Sequence, residues 1–211
     1  MLVLVFMNKQ LLIAATNNTG KAKEIKEILG GFFYDIQSLK DLGLEINPVE
    51  NGSSFLENAQ IKARAVYKHC NRSMAVIADD SGLIVKSLGE EPGIMSARYA
   101  GVDADDNKNN QKLLDNLIGI DDRSAYFVCT AVLILPDGKE IFAESRTYGE
   151  ILKQPEGTGG FGYDPLFFSY DLKKSFGTAA SWEKNQVSHR ARALKALKEK
   201  YIEYIKKSKD V

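Results

Sequence analysis

The sequence predicts an α/β fold built on a mixed sheet, and three observations carry that expectation. Leu11–Ala15 is a short apolar run closed by polar turn formers, and Lys21–Leu29 then sets Ile25, Ile28 and Leu29 on one helical face before Gly30-Gly31 stops it: strand, turn, helix. Met74–Ala78 is a buried-type strand that delivers Asp79 and Asp80 at its end. It follows a helix that Ser54 and Glu57 open as a capping box and that runs to about His69. Ala125–Leu135 and Lys139–Tyr148 read as strands joined by Pro136-Asp137-Gly138, a tripeptide that signals an antiparallel hairpin, so the sheet cannot be purely parallel.

The remaining elements follow in order. Asn107–Leu117 reads as a helix, Glu156–Gly162 as a glycine-rich loop, and Leu166–Phe168 as a short apolar stretch. Ser188 caps a last helix with Ala193, Leu194, Leu197, Ile202 and Ile205 at helical spacing, and the lysine-rich Lys206–Val211 is expected to fray. At 211 residues the chain suits one compact unit, residues 1–211, with room for two lobes. Met1–Phe6 is apolar but lacks a basic start and a small-residue cleavage site. It reads as an N-terminal extension rather than a signal peptide, with Met7 an equally good first residue.

Charge and composition narrow the function. Acidic and basic residues balance at 28 each with no long run of one sign, which argues against duplex nucleic acid as a partner but leaves room for a small anionic ligand. No stretch suits a membrane span. Cys70 and Cys129 have no CxxC partner or metal-ligand spacing and read as free core thiols in a reducing cytoplasm. With only His69 and His189 present, a histidine-rich zinc site is not expected, and no Ser-His-Asp or Cys-His arrangement stands out.

Four segments carry chemistry. Thr16-Asn17-Asn18-Thr19-Gly20-Lys21 lies between a strand and a helix, where backbone N–H groups and the positive helix end attract anions; simple capping is the competing reading, and the glycine spacing of a Walker A loop is missing. Asp79-Asp80-Ser81-Gly82 is either an acidic turn or a pair of hard-oxygen ligands for Mg²⁺, one of which can take a proton from water. Gly157–Pro165 surrounds Phe161 and Tyr163 with glycines, so the rings either face a ligand or pack into the core. His189 and Arg190 follow the Ser188 cap, where cations oppose the helix dipole; they are either a solvated helix start or a binding pair.

Taken together, ADDSGL at Ala78–Leu83, PGIMSARYAG at Pro92–Gly101, GTGGFGYDPLF at Gly157–Phe167 and EKNQVSHR at Glu183–Arg190 resemble the inosine/xanthosine triphosphate pyrophosphatase family, whose members hydrolyse non-standard purine nucleoside triphosphates to monophosphate and pyrophosphate. The resemblance implies an elongated mixed sheet with flanking helices, two lobes around a central substrate cleft, a homodimer, and Mg²⁺ as cofactor. By position it implies that Thr16, Asn18 and Lys21, within the turn Thr16–Lys21 that also holds Asn17, Thr19 and Gly20, contact the triphosphate. Glu50 and Asp80 would bind the metal, with Asp80 also the proton acceptor, Asp79 in support and Lys62 facing the phosphates. Ser81 is implied as a substrate contact, and Phe161, Gly162, Tyr163, Asp164, Lys184, His189 and Arg190 as the base pocket. One departure is that Asn17 stands where the family has glycine; Asn tolerates the left-handed backbone that such a turn would use. The readings set against this one are a pyrophosphatase for dTTP and UTP, and a nucleotide sensor that does not hydrolyse.

Overall fold

The structure, a computed structural model, describes residues 11–102 and 105–209. The apolar run Met1–Phe6 and the alternative start Met7 lie outside the described residues. In chain order the elements are β1 (Leu11–Ala14), α1 (Thr19–Leu29), β2 (Asp35–Ser38), α2 (Phe55–His69), β3 (Ala75–Val85), α3 (Asp106–Asn116), β4 (Ser124–Ile134), β5 (Glu140–Ile151), β6 (Phe167–Ser169), β7 (Lys174–Ser175), α4 (Ser181–Val187) and α5 (His189–Lys209). Short 3₁₀ turns at Lys86–Leu88, Gly93–Arg98 and Asp164–Leu166 fill the connections. The strands form one seven-stranded sheet in the order β2-β1-β3-β4-β5-β6-β7. β1 runs parallel to β2 and β3, whereas β6 is antiparallel to β5 and β7. The sheet is mixed, as the Pro136-Asp137-Gly138 turn requires: residues 135–139 are far too short a link for a parallel crossover.

By its internal contacts the chain divides into two compact units, one of Met1–Asp80, Thr130–Glu144 and Ala193–Val211, the other of Ser81–Cys129 and Ser145–Arg192. The first has its own core. Ala59, Ala63 and Val66 recur along α2 at helical spacing and pack with Ile13, Ala15, Val76, Ala78, Val132 and Ile134. α1 begins at the predicted turn because the Asn18 side chain accepts the Lys21 N–H at 2.9 Å, and it buries Ala22, Ile25 and Leu29. Ser54 caps α2 by accepting the Glu57 N–H at 3.2 Å, but the Glu57 carboxylate returns to the N–H and hydroxyl of Ser53 at 2.6 and 2.9 Å, one residue earlier than a capping box would have it.

The second unit is organised around aromatic rings. Phe127 and Phe167 have centroids 4.7 Å apart, Phe167 and Phe176 5.1 Å, and Leu83, Val85, Leu113, Leu117 and Leu166 are among the residues packed with them. A separate short helix, α4, precedes α5, and Ser188 between them accepts the Ala191 N–H at 3.2 Å, which makes it the cap the sequence indicates.

Three expectations need correction. β3 does not end at Asp79-Asp80; it continues through Ser81-Gly82 to Val85, where the apolar run Leu83-Ile84-Val85 prolongs the strand. Tertiary pairing there overrides the turn preference of Asp, Ser and Gly. Of Lys206–Val211, expected to fray, Lys206–Lys209 form the last turn of α5, and Asp210 and Val211 lie outside the described residues. The two cysteines form no disulfide, but only Cys129 is in the core; Cys70 is half-buried at the end of α2. Among the described residues no helix is long and apolar enough to cross a membrane.

Candidate active site

Because successive side chains of a strand point to opposite faces, the position of Asp79 and Asp80 within β3 separates them. Their partners agree. Asp79, wholly buried, meets Lys21 Nζ of α1 at 3.3 Å. Asp80 meets Lys62 Nζ of α2 at 2.8 Å, and the same ammonium reaches Glu50 at 2.9 Å. The adjacent aspartates therefore pair with different lysines. The carboxylates that converge are Glu50 and Asp80, which sit 30 residues apart in sequence.

Asn58, one helical turn before Lys62, joins this cluster: its amide donates to Asp80 Oδ2 at 3.4 Å, and its Oδ1 accepts the Gly52 N–H at 2.9 Å. Glu50 lies on an irregular segment, and the Asn58 and Glu57 contacts to Gly52 and Ser53 anchor that segment just after it. Burial pulls the Lys62 ammonium down, but the charges of Asp80, Asp79 and Glu50 and the hydrogen bond to Asp80 outweigh it, so its pKa is raised and it stays protonated at neutral pH.

The donor chemistry suits Mg²⁺. Glu50 and Asp80 supply hard oxygens that already converge on one cationic centre, and the three carboxylates outnumber the two lysines by one negative charge. Among the described residues no group of three or more His, Cys, Asp or Glu side chains gathers to hold a metal alone.

The Thr16–Lys21 turn is exposed apart from Thr16, Gly20 and Lys21, and Thr16 Oγ1 accepts the Asn18 N–H at 3.1 Å. Its first four residues, Thr16–Thr19, form one wall of a surface cavity of about 270 Å³ that Lys23, Lys26 and Lys40 line together with Glu27 and Asp41. Asn17 does not adopt the left-handed backbone expected of it. Its side chain instead donates to Asn47 Oδ1 at 2.6 Å, tying the turn to the segment that leads to Glu50.

In the second unit Arg190 and His189, which a solvated helix start would expose, are buried at 1% and 4% exposure. Arg190 Nη2 donates to Ser81 Oγ at 2.8 Å, and its guanidinium lies 5.6 Å from the Phe161 ring. Lys184 Nζ lies 4.8 Å from the same ring and pairs with Asp164 Oδ2 at 2.6 Å in a site with almost no solvent access. Asp164 Oδ2 also accepts the Phe161 N–H at 2.9 Å. Ser81, Phe161, Asp164, Lys184 and Arg190 thus come together. His189 stacks on Phe127 instead, with centroids 4.6 Å apart. Tyr163 belongs to the core: its hydroxyl donates to Ser96 O at 2.8 Å, and burial drives its phenol well above the usual tyrosine value.

The family model that matches this chain is that of the Ham1 family, over residues 12–200. The chain belongs to the Ham1 family. It is 47% identical over 193 residues to the dITP/XTP pyrophosphatase of Clostridium perfringens, covering 89% of this chain and 95% of that protein. It is 46% identical over 187 residues to the dITP/XTP pyrophosphatase of Bacillus subtilis, covering 88% and 93%. Among solved structures, the Ham1 protein of Staphylococcus aureus superposes with a TM-score of 0.78 at 38% identity, covering 90% of this chain and 97% of that one. The HAM1 protein of Coxiella burnetii gives 0.79 at 34% identity, covering 92% and 99%.

Some contacts within this Ham1 chain have no motif to announce them. Asn58 could have been found as a polar residue one turn before Lys62 on a helix whose other buried positions are mostly small and apolar. Asn17 with Asn47, and Asp106 and Asn110 with the aromatic loop, pair residues 30, 56 and 52 apart, for which the sequence offers no local signal.

Proposed function

We propose that this chain hydrolyses dITP, ITP and XTP to the monophosphate and pyrophosphate with Mg²⁺. The observation that carries the reading is the convergence of Glu50 and Asp80 on Lys62, together with the pairing of Lys21 with Asp79, in a member of a family whose relatives bear the name dITP/XTP pyrophosphatase. Glu50 and Asp80 hold the metal, which when bound neutralises charge on the phosphate oxygens. Asp80 accepts the proton of the attacking water while Asn58 and Lys62 fix its orientation. Lys21, Lys62 and the N-terminus of α1 stabilise charge on the phosphates, each donor lowering the barrier by up to several kcal/mol. No covalent intermediate is needed.

The base is read in the second unit. Phe161 offers a ring face, and Lys184 and Arg190 offer donors to a 6-oxo acceptor. Adenine presents an amino donor there, and a site built for the other pattern rejects it by a factor on the order of 10⁴. Asp164 holds Lys184 in place through their ion pair, and Ser81 orients Arg190 by accepting its hydrogen bond. The protein works as a homodimer in the cytoplasm, which sedimentation and fractionation test. A pyrophosphate-release assay over ITP, dITP, XTP, ATP, GTP, dTTP and UTP, with and without Mg²⁺, tests the reaction. Preference for the 6-oxo purines and silence without the metal are expected. Equal turnover of ATP and ITP overturns the base assignment, preference for dTTP or UTP points to a pyrimidine enzyme, and binding without turnover points to a sensor.

A further inference from the structure

In the loop that presents Phe161, both backbone polar groups of the ring's own residue are engaged. Phe161 N–H goes to Asp164 Oδ2 at 2.9 Å, and Phe161 O accepts the Asp164 N–H at 3.2 Å. Tyr163 is pinned through its hydroxyl to Ser96 O and through its carbonyl to the Leu166 N–H at 2.9 Å. Gly162, between the two aromatics, sits at φ +62°, the left-handed region that glycine enters without a Cβ penalty. Glycine is also the residue with most freedom to leave that conformation, so something must hold it.

What holds it is α3. Asp106 Oδ2 accepts the Gly162 N–H at 2.7 Å, and Asn110 Nδ2 donates to Gly162 O at 3.0 Å. The two residues stand four apart, on one face of the helix, and between them they satisfy both polar groups of this one glycine. The same helix is itself fastened: Asn109 Oδ1 accepts the Ala100 N–H at 2.7 Å and its amide donates to Ala97 O at 3.1 Å, while Lys112 donates to Tyr99 O at 2.6 Å. Leu113 is buried in the second unit's core. The grip on Gly162 is therefore transmitted to a packed helix rather than to another loop.

Resting on the base-reading role argued above, we propose that Asp106 and Asn110 are positioning residues for the Phe161 platform: they fix the Gly162 backbone and so set the pitch of the ring relative to Lys184 and Arg190. It follows that Gly162 serves by conformation, since its own N–H and C=O are engaged by α3, and that the base is read by the ring and the two cations.

The test compares Asp106→Ala, Asp106→Asn, Asn110→Ala and wild type for ITP kinetics, thermal melting and hydrogen exchange of the 160–164 segment in ligand-free protein. Asp106→Ala should raise KM for ITP roughly 5- to 50-fold, the scale expected when a charge-assisted bond to a substrate-orienting loop is lost, with a much smaller change in kcat. Asp106→Asn keeps an acceptor oxygen and should recover most of that loss. Asn110→Ala should shift KM in the same direction, and both alanine variants should speed exchange of the Gly162 amide. Unchanged KM and exchange in Asp106→Ala would overturn the proposal. So would an Asp106→Asn protein as impaired as Asp106→Ala, or KM and kcat lost in step with the melting temperature. The exchange measurement needs no substrate, so it separates failure of the brace from failure of the base assignment, which the Arg190→Ala selectivity ratio reads independently.

Discussion

The two units hold their charges in opposite ways. In the first, every charged side chain of the cluster except the buried Asp79 keeps some access to water: Lys21 is 16% exposed, Lys62 14%, Asp80 11% and Glu50 32%. In the second, the pair of Lys184 and Asp164 is sealed at 6% and 3%, and Arg190 is buried against Ser81. A cluster that binds a metal and a polyanion must exchange its ligands at each turnover, so lysines that bridge carboxylates in the meantime can give way. A pocket that distinguishes one base edge from another gains by having its donors fixed beforehand, because a desolvated donor left unmatched is costly. On the function proposed above, the contrast is between a site that opens to chemistry and one that is built before the ligand arrives.

The largest effect expected from breaking this contrast is at Asp80. Asp80→Asn should lower kcat by roughly 10²–10⁴-fold, as removal of a general base does, with loss of a metal ligand adding to it, while calorimetry still detects nucleotide binding. A near-normal kcat would move the proton acceptor elsewhere, with Asp79 the next candidate. Asp164→Ala strikes the sealed pair instead. It strands a buried ammonium and also removes the acceptor of the Phe161 N–H, so stability measured by denaturant unfolding should fall by about 3–5 kcal/mol. Stability within 1 kcal/mol of wild type, a cost typical of exposed pairs, would show that water reaches Lys184.

A smaller and more selective effect is expected at Arg190. Arg190→Ala should cut kcat/KM for ITP by about 10- to 150-fold, the range for one charge-assisted hydrogen bond, and change it little for ATP. An unchanged ITP to ATP ratio would mean that this residue does not read the base. The smallest effect belongs to the open unit. Asn17→Gly removes the bond to Asn47 and should raise the Mg²⁺ concentration for half-saturation only about 2- to 5-fold, the low end for a solvent-exposed hydrogen bond. Asn47→Ala should match it and the double variant should add nothing; additive losses would show that the two side chains act separately.

Much of the site was legible because it lies in short contiguous segments. The turn before α1, the Asp79-Asp80-Ser81 run, the glycine-rich loop and the Ser188 cap each announce themselves by local composition, and Ser188 and Asn18 cap as such residues do. What composition misplaced was burial. Arg190 read equally well as a solvated residue, and nothing near it in sequence says that Ser81 and Phe161 will close over it. Asp79-Asp80-Ser81-Gly82 read as a turn because the preference of those residues is local, whereas β3 runs through them as a strand between β1 and β4 in the sheet order. Tyr163 and Phe161 were indistinguishable two residues apart, and the core took one while leaving the other half-buried beside two cations.

By itself, then, the sequence determined the mixed α/β class, the helix starts and the residue types available to the chemistry, because periodicity, caps and turns are properties of a few neighbouring residues. Only the tertiary structure decided which charges meet: that Asp80 shares Lys62 with Glu50 while Asp79 takes Lys21, that Asn17 spends its amide on Asn47, and that α3 reaches across to hold Gly162. Those pairings depend on strand alternation and on the packing of helices onto the sheet, and a hydrogen bond between residues tens of positions apart leaves no periodic trace in the chain that makes it.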